Sequence, residues 1–208
     1  MFVNSGLSNL PDIHNIEHWF PKKNIEQLRI LKNNIDKLSK KENIYNFLLV
    51  CFATTIRRCS YADKFSPKPY VSSRIKKEPE NVKLAFLKTL NSNLKEIGSL
   101  SKLKLGKVRM ISQDARKIED KGLNNTVNLA VTSPPYINAF DYVRSLRLEN
   151  AWLGYCGDNN IIEVKKRQIG TETISSKLYL SKVPFYGLKK LDITISKIYK
   201  KDKKRAYV

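Results

Sequence analysis

The apolar positions along the chain fall into two regimes. From Pro21 to Gly98 they recur every three or four residues, the spacing that lines one face of an α-helix. Ile25, Leu28, Leu31, Ile35 and Leu38 form one such stripe, and lysines with Arg29 cover the rest of that helix. Pro21 stands at its start, where the missing N–H and fixed φ suit a first turn. After a polar break at Lys40-Lys41, a second helix is predicted over 42–59. Ile44, Phe47, Leu48, Leu49, Val50 and Phe52 make it apolar nearly all round, so it is expected to be buried. A third is predicted over 79–97 on Val82, Phe86, Leu90, Leu94 and Ile97, with Gly98 as terminator. Residues 1–20 read as irregular, with Ile13, Ile16, Trp19 and Phe20 capping the helix after them.

Beyond Gly98 the pattern changes. Lys107–Ile111 and Val127–Val131 are short apolar runs bounded by turn residues, which predicts two buried strands joined by a crossover of the parallel α/β kind. The second run stops on Thr132-Ser133-Pro134-Pro135-Tyr136. Two consecutive prolines lack backbone N–H groups and cannot continue a central strand. The chain therefore leaves as a stiff loop presenting the Ser133 hydroxyl, free carbonyls and the Tyr136 ring at a strand's carboxyl end. In open α/β sheets that is where ligands bind. A helix over Val143–Tyr155 comes next, on Leu146, Leu148, Trp152 and Leu153, ended by Gly154, Gly157 and Asp158-Asn159-Asn160. Gly170–Ser176 reads as a loop, and a last helix over 187–200 carries Leu188, Leu191, Ile195 and Ile198 before a basic tail. The expected organisation is a helical region over 1–100 and an α/β region over 101–208.

Charge narrows the choice of partner. Lys and Arg number 39 against 19 Asp and Glu, a net charge of +20 that fits a polyanion bound in a salt-dependent way. Biased codon usage, visible as a Lys-, Asn- and Ile-rich composition, is the competing explanation. The stretch 61–79, with Pro67, Pro69 and Pro79, reads as a long loop. Cys51, Cys59 and Cys156 do not pair up, and Cys51 reads as a buried thiol in an apolar run. His14 and His18 lack the further ligands of a metal site, so no metal is expected. Neither a signal peptide nor a membrane-spanning apolar run is visible, and a cytoplasmic protein is expected.

Thr132–Tyr136 resembles the catalytic loop of the amino-methylating DNA methyltransferases, which modify N4 of cytosine or N6 of adenine. The flanks are similar too: Val108–Met110 with Gln113-Asp114-Ala115-Arg116, Asn138–Arg144, Trp152-Leu153-Gly154 and Ile169-Gly170-Thr171-Glu172. The resemblance is strongest over 107–172. It implies a Rossmann-like sheet, S-adenosylmethionine as cofactor and DNA as substrate. It places Ser133, Pro134, Pro135 and Tyr136 at the base and Asp114 and Thr132 at the cofactor. An exocyclic amino group is a poor nucleophile because its lone pair is delocalised into the ring. Acceptors on its two hydrogens, the Pro134 carbonyl and the Ser133 hydroxyl, would make it more nucleophilic. Tyr136 would stack on the base once it is swung out of the duplex. Serine at the head of the loop leans toward N4 of cytosine. By the same resemblance, Arg57, Arg58, Arg74, Lys76 and Lys77 lie near DNA phosphates, while a solvated linker remains the other reading of that stretch.

One family feature is missing. A glycine-rich cofactor turn after the first strand is expected, yet Gly6, Gly98, Gly106, Gly122, Gly154, Gly157, Gly170 and Gly187 include no two spaced two apart. The fold expected is therefore α/β, a partial Rossmann-like sheet with an N-terminal helical layer. The chain is read either as one subunit of a split enzyme, with a second polypeptide carrying the turn, or as a truncated product, and the latter is favoured. Two other functions compete: a DNA-binding remnant that uses charge alone, and an RNA or protein methyltransferase.

Overall fold

The computed structural model describes residues 10–104, 106–112, 114, 122, 125–133, 141–168, 176–203 and 206. In chain order the helices are α1 (Ile16–Trp19), α2 (Lys22–Asp36), α3 (Glu42–Arg58), α4 (Val82–Leu100) and α5 (Tyr142–Ser145). They continue with α6 (Arg147–Leu153), α7 (Ile161–Lys166), α8 (Ser176–Ser181) and α9 (Lys189–Lys201).

The first long helix follows its sequence. Pro21 sits at the N-cap of α2 with φ −59°, and Ile25, Leu28 and Ile35 are buried along the predicted stripe. Asn24 is buried on the same helix and donates from Nδ2 to the Cys59 carbonyl at 2.9 Å and the Glu80 carbonyl at 3.1 Å. That one amide stitches the start of α2 to the end of α3 and the approach to α4.

The second helix departs from expectation on its outer side. α3 buries Cys51, Phe52, Thr55 and Ile56 against α2, α4 and α6, but Ile44 and Val50 are exposed. The three neighbours leave part of its circumference to solvent. In α4 the buried residues are Val82, Ala85 and Thr89, whereas Leu94 and Ile97 of the predicted stripe stay half in water. The small side chains of Ala85 and Thr89 let the backbone of α4 approach α3 closely. Asn81 caps α4 by accepting from the Leu84 amide at 3.2 Å, and the helix runs through Gly98 to Leu100.

The core joins the first described segment to α6. Trp152 of α6 meets the rings of Phe20 and Phe52 edge-on, with centroids 5.9 and 6.3 Å away. Ile13, Trp19, Phe20 and Leu148 are buried in the same cluster, so the expected N-terminal cap is an integral part of the core. Edge-to-face rings add about 0.5–1.5 kcal/mol each beyond the area they bury.

The expectation of an α/β, Rossmann-like sheet is overturned. Among the described residues there is no strand and no sheet. Lys107–Ile111 and Val127–Val131 run as irregular chain, with Val108 97%, Met110 81%, Leu129 78% and Val131 89% exposed. A strand satisfies its backbone only through a neighbour, and too few strands with no apolar face to pack on do not hold. Helices satisfy their own backbones, which is why the helical half of the reading survives. The helix predicted over Val143–Tyr155 is divided at Leu146 into α5 and α6, and Gly154 ends α6 in the left-handed region at φ 77°. α7 and α8 have no counterpart in the sequence pattern, whereas α9 lies close to the expected 187–200. Among the described residues no helix is long and apolar enough to cross a membrane.

Candidate functional site

Only part of the predicted site lies among the described residues. Thr132 and Ser133 are exposed at the end of the Val127–Val131 segment. Pro134, Pro135 and Tyr136 lie outside the described residues, as do the flank Ile169–Glu172 and most of the loop expected over Gly170–Ser176. Asp114 is half-buried in a tight turn organised by Ser112. The Ser112 hydroxyl donates to the Asp114 carbonyl at 2.9 Å, and the Asp114 amide donates back to the same hydroxyl oxygen at 3.1 Å. This is the local side-chain turn that such residues favour. A cavity of about 500 Å³ opens between α2 and α4, and another of about 370 Å³ between Leu10–Asp12 and the end of α6. Asp114, Thr132 and Ser133 line neither.

The chain is pinned at the first residue described after the candidate loop. Asp141 caps α5 by accepting from the Arg144 amide at 2.9 Å, and its carbonyl accepts from the Ser145 amide and hydroxyl, each at 2.9 Å. Its other carboxylate oxygen pairs with Lys165 of α7 at 2.6 Å. Burial pushes the Asp141 carboxyl upward. The Lys165 ammonium, the Arg144 amide and the charge of Lys68 outweigh it and hold the group below the usual carboxylate range. Sequence reasoning missed this anchor. An aspartate directly before Tyr-Val-Arg-Ser was the signal, as a helix N-cap.

The basic stretch is rearranged relative to its prediction. Arg57 turns its guanidinium back to the carbonyls of Asp63 (3.1 Å), Pro67 (3.4 Å) and Ser66. Arg58 holds Glu80 through two bonds, at 3.0 and 2.6 Å, and donates to Thr89 at 3.1 Å. Lys77 donates to the Arg57 carbonyl at 2.6 Å, and burial lowers its pKa. Three of the five cations assigned to phosphates therefore hold the protein together, while Arg74 and Lys76 remain exposed. The cations that sequence reasoning passed over are Lys64 and Lys68.

Against this geometry, the proteins to which the chain is similar are Type II methyltransferases. M.MvaI of Kocuria varians is 27% identical over 223 aligned residues, which cover 98% of this chain and 47% of that protein. M.BsoBI of Geobacillus stearothermophilus is 32% identical over 103 residues, covering 50% of this chain and 20% of that protein. The chain thus spans about half the length of the first relative and a fifth of the second. No family model and no solved structure matches it.

Proposed function

We propose that this chain is the base-binding portion of a DNA methyltransferase that uses S-adenosylmethionine and modifies an exocyclic amino group, N4 of cytosine in preference to N6 of adenine. One observation carries the reading. The Thr132–Tyr136 loop lies within a similarity to M.MvaI that covers 98% of the chain. In this proposal the Ser133 hydroxyl and Pro134 carbonyl accept the two hydrogens of the amino group, and Tyr136 stacks on the flipped base.

The described residues do not make a complete site for the cofactor. Asp114 offers a carboxylate in a fixed turn. A cradle also needs closely spaced glycines that let a ligand approach the backbone, and no two glycines of the chain are spaced two apart. The glycine-rich turn is therefore assigned to a polypeptide segment other than those described, and the chemistry of the cofactor to the assembled enzyme.

Transfer of a labelled methyl group from S-adenosylmethionine to duplex DNA, RNA and protein tests this in the assembled enzyme, the chain combined with the polypeptide that carries the glycine-rich turn, with and without Ser133→Ala. Transfer to duplex DNA that falls about 100-fold in the variant, the scale of losing one positioned hydrogen-bonding group, supports the proposal. Equal transfer by both chains, or a preference for RNA or protein, sinks it. The net charge of +20 favours a second reading, a DNA-binding remnant that uses charge alone and has no activity of its own. That protein would bind DNA equally well with Ser133→Ala and transfer nothing.

A further inference from the structure

The long loop predicted after α3 is a knitted structure. The Asp63 amide donates to the Tyr70 carbonyl at 2.9 Å and closes residues 63–70 on themselves. The Asp63 carboxylate accepts from the amides of Phe65 and Ser66 at 2.8 and 2.7 Å, and the Ser66 hydroxyl donates to the Lys68 carbonyl at 2.7 Å. With Arg57 gripping three carbonyls from inside, the polar backbone is drawn inward and the loop has a fixed shape. What remains outside is Lys64, Phe65, Pro67, Lys68 and Tyr70.

Phe65 is 82% exposed, an unusual place for a large apolar ring on a loop so well braced. The Lys64 ammonium sits 4.8 Å from the ring centroid. Farther along the same loop, Lys68 lies near enough to Asp141 for its charge to stabilise that carboxylate. Asp141 caps α5 and is the first residue described after the candidate base-binding loop. The acid within the loop, Asp63, is occupied by backbone amides, which leaves its outer surface positively charged.

The geometry points to loop 63–70 as a duplex-DNA contact in which Phe65 stacks on a base left unstacked near the target nucleotide while Lys64 and Lys68 take flanking phosphates. This rests on the DNA-methyltransferase reading above. Swinging a base out of the helix leaves its neighbours without a stacking partner, and an aromatic side chain replaces that partner whatever the sequence. A loop already held in place loses little conformational entropy on contact. The lysines contribute the salt-dependent part of the affinity.

The test is equilibrium binding of the full chain, without cofactor, to a duplex carrying 2-aminopurine in place of the target base, whose fluorescence rises when that base is swung out of the stack. Phe65→Ala is compared with Phe65→Trp, with Lys64→Ala combined with Lys68→Ala, and with Phe185→Ala as a control at another exposed ring. Phe65→Ala should weaken binding about 5- to 150-fold, the range for loss of one stacked base, and remove the fluorescence rise. Phe65→Trp should restore both, and the double lysine variant should reduce the slope of log affinity against log salt by about 2. Thermal melting should be unchanged in the Phe65 variants, because that side chain is exposed. No duplex binding by the parent chain overturns the inference. So does binding indifferent to Phe65, an equal loss in Phe185→Ala, or Phe65-dependent binding to phosphatidylserine vesicles in place of DNA. Phe65-dependent duplex binding, with no methyl transfer by the chain assembled with the polypeptide carrying the glycine-rich turn, would uphold this inference and sink the enzymatic reading. Methyl transfer to DNA unaffected by Phe65→Ala would do the reverse.

Discussion

Arg147 grips Asp158 with two parallel hydrogen bonds, Nε to Oδ1 at 2.7 Å and Nη2 to Oδ2 at 2.5 Å. The same guanidinium lies 5.3 Å from the Trp19 ring centroid, and Asp158 also accepts from the His14 amide at 2.7 Å. Next to it, Asp12 takes the amide and side chain of Asn159, each at 2.9 Å. A Cβ at Gly157 would run into the Asp12 side chain, so only glycine fits there. The first described segment is thereby latched to the turn after α6. Both partners are mostly buried, with side chains 27% and 17% exposed. Asp158→Asn should therefore cost about 2 kcal/mol, the range for a charge-assisted bond, and lower the melting temperature by several degrees. Gly157→Ala should destabilise as well. Thermal denaturation followed by circular dichroism checks both, and an unchanged midpoint in Asp158→Asn would show that the latch carries no stability.

The pH dependence of stability should contain two opposed contributions. Burial raises the Asp158 carboxyl, but Arg147 and the His14 amide more than compensate and hold it low. A depressed folded pKa gives stability that is present above the unfolded value, about 3.9, and lost as pH falls through the folded one. Asp141 acts in the same direction. Glu149 is the opposite case. Burial pushes its carboxyl up, and its Oε2 is shielded without a hydrogen-bond partner. Its contribution is complete below the unfolded value of about 4.3 and is lost as pH rises through the folded pKa. Glu149→Gln should therefore raise the melting temperature at neutral pH, by an amount that shrinks toward pH ~4. A gain of the same size at both pH values would contradict this account.

What the sequence disclosed depends on which interactions are local. The stripe of α2, the cap at Pro21 and the stop at Gly154 rest on residues within a turn or two, and they are where the pattern placed them. The register of α4 escaped the pattern because Ala85 and Thr89 are buried for their small size, which a count of large apolar residues overlooks. The strands failed because Val108 and Leu129 signal only that a segment can pair, and pairing depends on a neighbour. In the candidate site, Thr132–Tyr136 was conspicuous as a motif. The Asp141–Lys165 anchor joins residues 24 positions apart and could be read only in part, from the cap. Arg57 and Arg58 looked like phosphate ligands because composition shows a charge without showing which carbonyl or carboxylate it meets.

Cys59 should behave as an indicator of opening. Burial, together with the nearby charge of Glu80, pushes its thiol up to about 12. Burial also raises the thiols of Cys51 and Cys156, and all three cysteines are free and buried. The thiolate is the reacting species, so iodoacetamide at pH ~8 should leave the folded chain unmodified over a period that fully labels the unfolded chain. Adding denaturant below the unfolding transition should accelerate labelling in proportion to the population of open forms. Rapid labelling of Cys59 in native buffer would mean that α3 and the chain before α4 separate readily.

The exposed segments at 107–111 and 127–131 give the last expectation. Val108, Met110, Leu129 and Val131 are all largely exposed and lie outside the buried cluster of the helical core. Surface of this kind binds hydrophobic dyes and promotes association. Combining Val108→Lys with Leu129→Lys should reduce 1-anilinonaphthalene-8-sulfonate fluorescence and raise solubility, while the stability of the helical core changes by no more than about 0.5 kcal/mol. Neither residue belongs to the buried cluster of that core, so unfolding should remain as cooperative as before. A large drop in melting temperature would show that these segments are packed against the core.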